Sequence, residues 1–410
     1  MKILQISEGI GRIYSNTTSP VELVIMNLAK NLTRIGHEVT ILTKKSSKTD
    51  NDVDYIEGVR IVRLRTRSLT ACKRSFLCLI VESFFFAIAV NSYLRKECFD
   101  IVHVHLPLTS CILATFNRKL RKKMVYTCHA DEYRLGISPR IKPPFYLRLF
   151  PADLYLMQRV KKTVLLNTSI FQKLMSLKKI ASEKILVIHN GVDTEKFAPH
   201  NDAEDTKQKF MISGKTVLYV GRISERKGLE YLIKAANIVV NVRGLKHVTF
   251  LLVGAVGGGF FARANPKSDP FFKHLFDLIE GYSLERNVRF TGFVSSEDLR
   301  KLYVASDIFV LPSLQEGFGL VLTQAMASGK PVIGTRTGGI LEQIKDGYNG
   351  LLVEPADERR LAEKIYYLLI NEKERAIMGH NGRKTAIERF SWGVIAEKYS
   401  AAYESILKER

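Results

Sequence analysis

The sequence predicts an α/β protein made of two doubly wound, Rossmann-like domains facing across a cleft, and three observations carry that prediction. Short apolar or β-branched runs of strand length recur along all 410 residues, helix-length segments separate them, and the whole series runs through twice. Runs that are apolar throughout, rather than alternating, belong to parallel strands covered by helices on both faces. The length also suits two or three hydrophobic cores better than one.

The first series opens with KILQIS, a buried-strand pattern rather than the charged-then-apolar leader of an exported protein. EVTILT, VRIVRL, DIVHVH, MVYTCH, TVLLNTS and KILVIHN follow it. The series ends at the turn-rich group His189-Asn190-Gly191-Val192-Asp193, and polar residues 200–209 come next, so the first domain is expected over 1–195. TVLYVGR, VTFLLVG, VRFTGFV, DIFVLPS, PVIGT and GLLVEP make the second series, expected over 196–390. In residues 391–410, Val394, Ile395, Tyr399, Ala402 and Ile406 recur at helical spacing, which predicts an amphipathic helix crossing back towards the first domain. Doubly wound sheets bind ligands beyond the carboxyl ends of their strands, so a cleft between two of them is the place to look for a site.

Composition is that of a soluble globular chain, at 46% hydrophobic and 25% charged residues, but the net charge is +21. Residues 1–200 hold 32 Lys and Arg against 16 Asp and Glu, so the first half carries most of the excess. Such a field suits an anionic substrate, an anionic membrane surface or nucleic acid. Nucleic acid is disfavoured, because the aromatic residues fall in apolar runs instead of interleaving with the basic ones. The densest basic tract, residues 118–123, comes after a long apolar segment at 76–90. That segment is shorter than the roughly 20 residues needed to cross a bilayer, and Glu82 interrupts it, so a core or interfacial helix is expected. The five cysteines, Cys72, Cys78, Cys98, Cys111 and Cys128, are odd in number and form no CxxC pair, which fits reduced thiols in a cytoplasmic protein. No metal site is expected, since the histidines have no helical ligand pair and the cysteines no zinc spacing.

The chemistry concentrates in residues 307–344. A strand runs into a Pro-Ser turn, then Glu316-Gly317-Phe318-Gly319, then a helix-period run closed by Gly329. Glycines let a ligand reach the backbone, and unpaired N–H groups at a helix start attract anions, so a phosphate with Glu316 beside it on a polyol is the natural reading. Gly221-Arg222-Ile223-Ser224-Glu225-Arg226-Lys227-Gly228 follows the strand TVLYV directly. Arg222 and Lys227, converging at a strand-to-helix turn, suit a diphosphate gripped by a planar fork and a point charge. Gln324 lies eight residues after Glu316, about two helical turns inward, within reach of a different part of the same ligand. His103 and His105 alternate along one strand and face the same side as strand-end residues.

Beyond these residues, the pieces Gly36-His37-Glu38-Val39, Asp100-Ile101-Val102-His103-Val104-His105, Thr127-Cys128-His129, Asn190-Gly191-Val192-Asp193, Gly221-Arg222 through Lys227-Gly228, Gly292-Phe293-Val294 and Glu316-Gly317-Phe318-Gly319 stand in one order. In that order the chain resembles the retaining glycosyltransferases of family 4 over nearly its whole length. The resemblance implies the GT-B fold and metal-independent transfer of a hexosyl unit, with retention, from a UDP- or GDP-linked sugar to a glycan or lipid-linked acceptor. No separate cofactor is implied. Arg222 and Lys227 would bind the donor diphosphate and stabilise the leaving phosphate. Glu316 would hold the donor sugar, helped by the backbone of Gly317, Phe318, Gly319 and Leu320, and Val294 would join the donor site. His129 would lie across the cleft near the anomeric carbon.

Two positions depart from the family pattern. A carboxylate that binds the donor ribose is Gln324 here, an amide that bonds a hydroxyl without the help of charge. An early Gly-Gly pair is replaced by Ser19-Pro20, where proline has no N–H to offer a phosphate, leaving Gly9 and Gly11 as substitutes. A glycine-rich stretch, Gly254-Ala255-Val256-Gly257-Gly258-Gly259, lacks the acidic partner of a dinucleotide fingerprint and reads as a cleft-edge loop. A sugar-nucleotide epimerase on the same architecture and an inactive sugar-nucleotide-binding relative stay open as alternatives. The cysteine pattern and the opening strand lead to the expectation of a cytoplasmic protein, and the basic first domain would suit a peripheral place at the membrane face, with an anionic or lipid-linked acceptor.

Overall fold

The computed structural model describes residues 1–7, 20–45, 47, 50–66, 76–130, 135, 152–200, 203–256 and 269–409. It falls into two units, Met1–Gly191 with Trp392–Arg410, and Val192–Ser391.

In the first unit, β1 (Lys2–Ile6), β2 (Glu38–Lys44), β3 (Val53–Ile56), β4 (Val59–Leu64), β5 (Ile101–Val104), β6 (Met124–Cys128), β7 (Lys162–Leu165) and β8 (Ile185–Val187) form one sheet in the order β3-β4-β2-β1-β5-β6-β7-β8. All neighbours are parallel except the hairpin of β3 on β4. The parallel strands are the apolar runs of the sequence, with β1, β2, β5 and β6 buried almost throughout. The strand β3 alternates half-buried and exposed residues at the sheet edge. Its turn places Glu57 and Gly58 at φ 47° and 81°, the left-handed pair that closes a two-residue hairpin.

The second unit contains β9 (Lys215–Val220), β10 (Val248–Val253), β11 (Val288–Gly292), β12 (Ile308–Leu311), β13 (Val332–Thr335) and β14 (Gly350–Val353), in the order β11-β10-β9-β12-β13-β14 and parallel throughout. The chain starts at β9, builds outward to β11, then returns to β12 on the other side of β9. The strand order therefore reverses between β9 and β12, and the loops leaving those two strands stand side by side.

Helix Trp392–Lys408 buries Trp392, Ile395, Ala396, Tyr399, Tyr403 and Ile406 and belongs to the first unit. His37 Nε2 lies 2.8 Å from Ser400 Oγ, and Glu409 pairs with Lys161 and Lys162 at 2.8 and 2.9 Å. The first unit ends at Gly191, four residues before the expected boundary, because Val192 N–H already donates to Phe390 O at 2.7 Å within the second unit. Gly191 itself is needed where it is: a Cβ there would sit 2.3 Å from the Trp392 ring.

The apolar segment at 76–90 becomes helix Phe76–Lys96, longer than expected and, by length and composition alone, sufficient to cross a membrane. One of its faces is nevertheless part of the first unit's core, through Phe86, Ala87 and Val90. Cys98, Cys111 and Cys128 form no disulfide, whereas Cys78 is disulfide-bonded, which corrects the expectation of five reduced cysteines. Cys72, Gly9, Gly11, Ser19 and the glycine-rich stretch from Gly257 onward lie outside the described residues.

Candidate active site

The site is assembled from the two loops at the reversal point of the second sheet. After β9, Tyr219 turns its hydroxyl back to donate to Arg222 O at 2.9 Å, and a Cβ on Gly221 would come within 2.6 Å of that hydroxyl. A single helical turn, Glu225–Lys227, follows and closes on Gly228 at φ 67°. Gly228 presses against the other loop, where an added Cβ would meet Pro312 O at 2.0 Å. Leu314 N–H donates to Arg226 O at 2.8 Å, so the loops are joined backbone to backbone.

The second loop carries Glu316. Lys227 Nζ donates to Glu316 Oε2 at 2.5 Å, and Ser313 Oγ donates to the same oxygen at 3.0 Å. The lysine and glutamate side chains are only 17% and 11% exposed, so the pair interacts with little solvent screening. From the far side, Gly338 (φ 47°) packs so closely that a Cβ would overlap Glu316 O at 1.7 Å, while Gly339 N–H donates to Gly317 O at 3.1 Å. The Gln343 amide donates to Phe318 O, and the Phe318 ring meets Phe390 with centroids 5.9 Å apart. Gly319, at φ 84°, then starts helix Leu320–Ala327 with no side chain capping it. An uncapped helix start beside a cation is a place for an anionic ligand group.

The structure thus brings Lys227, Glu316 and the backbone of Gly317, Phe318, Gly319 and Leu320 together, with Arg222 exposed beside them. Tyr219 stays a neutral donor: burial raises its phenol well above the ordinary range, Glu316 adds to the rise, and Arg222 opposes it. Gln324 sits deeper on the same helix, its carbonyl 3.0 Å from the hydroxyl of buried Tyr303, which also lies 3.1 Å from Val321 O. Val294 is half-buried past β11, two strands from β9 and so roughly 10 Å to the side.

His129 belongs to the first unit and follows β6. Its Nε2 lies 3.1 Å from Nδ1 of His105, which follows the neighbouring β5, and the two rings stack with centroids 5.4 Å apart. Behind them the His103 ring lies tilted by 37° against His105, with centroids 4.1 Å apart. Tyr403 meets His103 Nδ1 at 2.7 Å, and Thr127 Oγ1 meets its Nε2 at 2.7 Å and the Tyr399 hydroxyl at 3.0 Å. Burial, with His129 adding to it, pushes His103 down to about 3, and burial pushes His105 well below its ordinary value. Both rings are therefore neutral at physiological pH.

Several members of this arrangement were not apparent from the sequence. Tyr219 and Tyr303 sit in apolar runs, and Tyr399 and Tyr403 on one stripe of an amphipathic helix, where an aromatic residue reads as core packing. Gly338-Gly339 was the one missed group with a visible signal, a glycine pair ahead of a short helix.

The Glycosyltransferase Family 4 description matches residues 21–196, and the Glycosyl transferases group 1 description matches residues 202–385. The chain belongs to the family 4 glycosyltransferases. This glycosyltransferase is 28% identical over 393 residues to an uncharacterized glycosyltransferase of Methanocaldococcus jannaschii, an alignment that covers 92% of each chain. Its fold is similar to that of sucrose-phosphate synthase from Thermosynechococcus elongatus, with a TM-score of 0.80 and 22% identity over the whole of both chains. It is similar also to Anabaena HepE in complex with UDP and glucose, with a TM-score of 0.75 and 21% identity over 99% of this chain and 100% of the other. The two parallel-sheet units of this glycosyltransferase are those of the GT-B fold.

Proposed function

We propose that the protein is a retaining, metal-independent glycosyltransferase that moves a hexosyl unit from a UDP- or GDP-linked sugar to a glycan or lipid-linked acceptor at the cytoplasmic face of a membrane. The observation that carries the reading is the Lys227–Glu316 pair, 2.5 Å apart, where the strand order of the second sheet reverses. Arg222 and Lys227 supply positive charge to the departing diphosphate as its negative charge grows, and charge already in place costs no reorganisation during reaction. That supply is what supports transfer without a metal ion. The N–H groups at the start of helix Leu320–Ala327 add to it, and Glu316 receives the donor sugar's hydroxyls. The family resemblance implies a place near the anomeric carbon for His129, whose Nε2 is engaged by His105. HepE, which shares the fold, holds UDP and glucose, and this supports a uridine donor among those to be tried first.

Thermal-shift measurements with UDP, GDP, ADP and their sugars test the donor class, because a ligand of the folded state raises Tm. A rise with UDP or GDP is expected. Transfer to a supplied acceptor is then expected to be unaffected by EDTA, to keep the anomeric configuration by proton NMR, and to fall about a hundredfold or more in Glu316→Ala and Arg222→Ala. No shift with any nucleotide would overturn the donor reading. An inverted product would overturn retention, and interconversion of the donor sugar with no acceptor present would favour the epimerase.

A further inference from the structure

The first unit carries a surface that the donor chemistry does not use. Helix Phe76–Lys96 sets Phe86, Ala87 and Val90 into the core, and its outward side presents Ile80, Phe84 and Ile88 at 39, 44 and 52% exposure. Residues four apart stack along one helix face, so these three make a continuous apolar ridge about 12 Å long. The helical repeat brings Arg95 onto the same face, two turns beyond Ile88. The one acid between, Glu82, points off the ridge to Lys44 at 4.0 Å.

Helix Pro107–Phe116 runs alongside, with Thr109 bonded to Ser83 O at 3.4 Å and Asn117 to the Asn91 side chain at 2.9 Å. Its last residue, Phe116, is 79% exposed, and after Asn117 the basic segment starts at Arg118. Arg121 turns inward to the carbonyls of Ala114 and Thr115, and Lys123 to Phe99 O. Arg118, Lys119 and Lys122, with Arg95 and Lys96, are exposed, and among the described residues none of the five pairs with a carboxylate. An apolar ridge ending in a cluster of unpaired cations complements lipid tails and anionic headgroups in one plane.

We infer that this face, Ile80, Phe84, Ile88 and Phe116 with the basic cluster beside it, is where the protein lies on an anionic membrane. The helix rests on the bilayer and does not cross it, because its other face is built into the sheet core of the unit. The inference rests on the lipid-linked acceptor reading for its purpose, since a docked first unit meets such an acceptor where the acceptor resides. Its geometry is independent of that reading.

The test is co-sedimentation of the full chain with phosphatidylcholine vesicles, with and without phosphatidylglycerol, in the absence of donor and acceptor. Binding at least about tenfold tighter to the anionic vesicles is expected, falling steeply in high salt. Phe84→Ser/Ile88→Ser and Lys119→Glu/Lys122→Glu should each lose about tenfold or more of that binding while keeping the wild-type Tm and the UDP-induced shift. Because no donor takes part, vesicle binding and nucleotide binding fail separately. Absence of anionic preference, or wild-type binding by both variants, overturns the inference. So does a dimer, measured by sedimentation velocity, that Phe84→Ser/Ile88→Ser dissolves while vesicle binding stays intact; that result would assign the ridge to a second copy of the chain.

Discussion

At the scale of single residues, the orientation of His129 depends on where one proton sits. His105 Nε2 is buried without a hydrogen-bond partner, and its Nδ1 faces His129 Nε2. A buried N–H left unpaired is rarer and costlier than an unpaired acceptor, so the His105 proton belongs on Nδ1 and is donated to His129. An imidazole that accepts this bond at Nε2 carries its own proton on Nδ1, and that is the tautomer assigned to His129. Nitrogen-15 shifts of ring-labelled protein should show that tautomer in the wild type, a mixture in His105→Leu, and its recovery in His105→Asn, whose amide places a donor near the lost Nδ1–H. A His129 protonated on Nε2 in the wild type would refute the assignment. The sequence placed His103 and His105 on one side of a strand by alternation alone, but nothing in it paired His105 with His129, since that contact needs β5 and β6 to be neighbours. The same holds for Lys227 and Glu316, 89 residues apart. Turn chemistry marked each as a ligand group, while their mutual ion pair arises from the order of β9 and β12.

At the scale of elements, the parallel strands were legible because burial on both faces leaves an uninterrupted apolar run. Strand β3 was not, because an edge strand in a hairpin has one exposed side and only four residues to show it. The last helix was legible as amphipathic, but Tyr399 and Tyr403 acquire their roles only when buried beside His103. Burial holds both phenols well above the ordinary range, so they are neutral donors, and Tyr403 donates to His103 Nδ1. This gives the helix a pH-dependent hold on the first unit. The folded values of His103 and His105 are depressed, so below about pH 6.5 the unfolded chain binds protons that the folded chain refuses. Stability should therefore fall with decreasing pH from about 6.5 towards 3, by about 1 kcal/mol per histidine per pH unit. Urea unfolding at pH 8.0 and 5.5 measures it, as conditions chosen on the order of one unit either side of the free histidine value. Replacing His105 by Phe should remove about half of the loss that the pair contributes. An unchanged pH dependence would mean that His105 is protonated in the folded state.

At the scale of the whole molecule, the repeated α/β series told that there are two sheets, and the reversal of strand order in the second marks where the donor site is proposed. The groups placed at the donor, Arg222, Lys227, Glu316 and the backbone to Leu320, all lie within Val192–Ser391, and their loops are locked to one another by Leu314 N–H on Arg226 O and by Gly339 N–H on Gly317 O. Loops held by such backbone bonds do not need to fold around a ligand, so nucleotide binding should tighten existing structure and create no new element. In hydrogen exchange, saturating UDP is expected to slow the amides of 221–228 and 316–320 well beyond the others of the second sheet, because local opening of those loops must now also release the ligand. Gly338→Ala gives the discriminating comparison. A methyl there would collide with Glu316 O, which stands 1.7 Å from its position, and the collision displaces the Glu316 loop without touching the turn after β9. Protection by UDP should then persist at 221–228 and be lost at 316–320, with weaker binding overall. Equal loss in both segments would show that the two loops move as one body, and no UDP-dependent protection in either would place the nucleotide elsewhere.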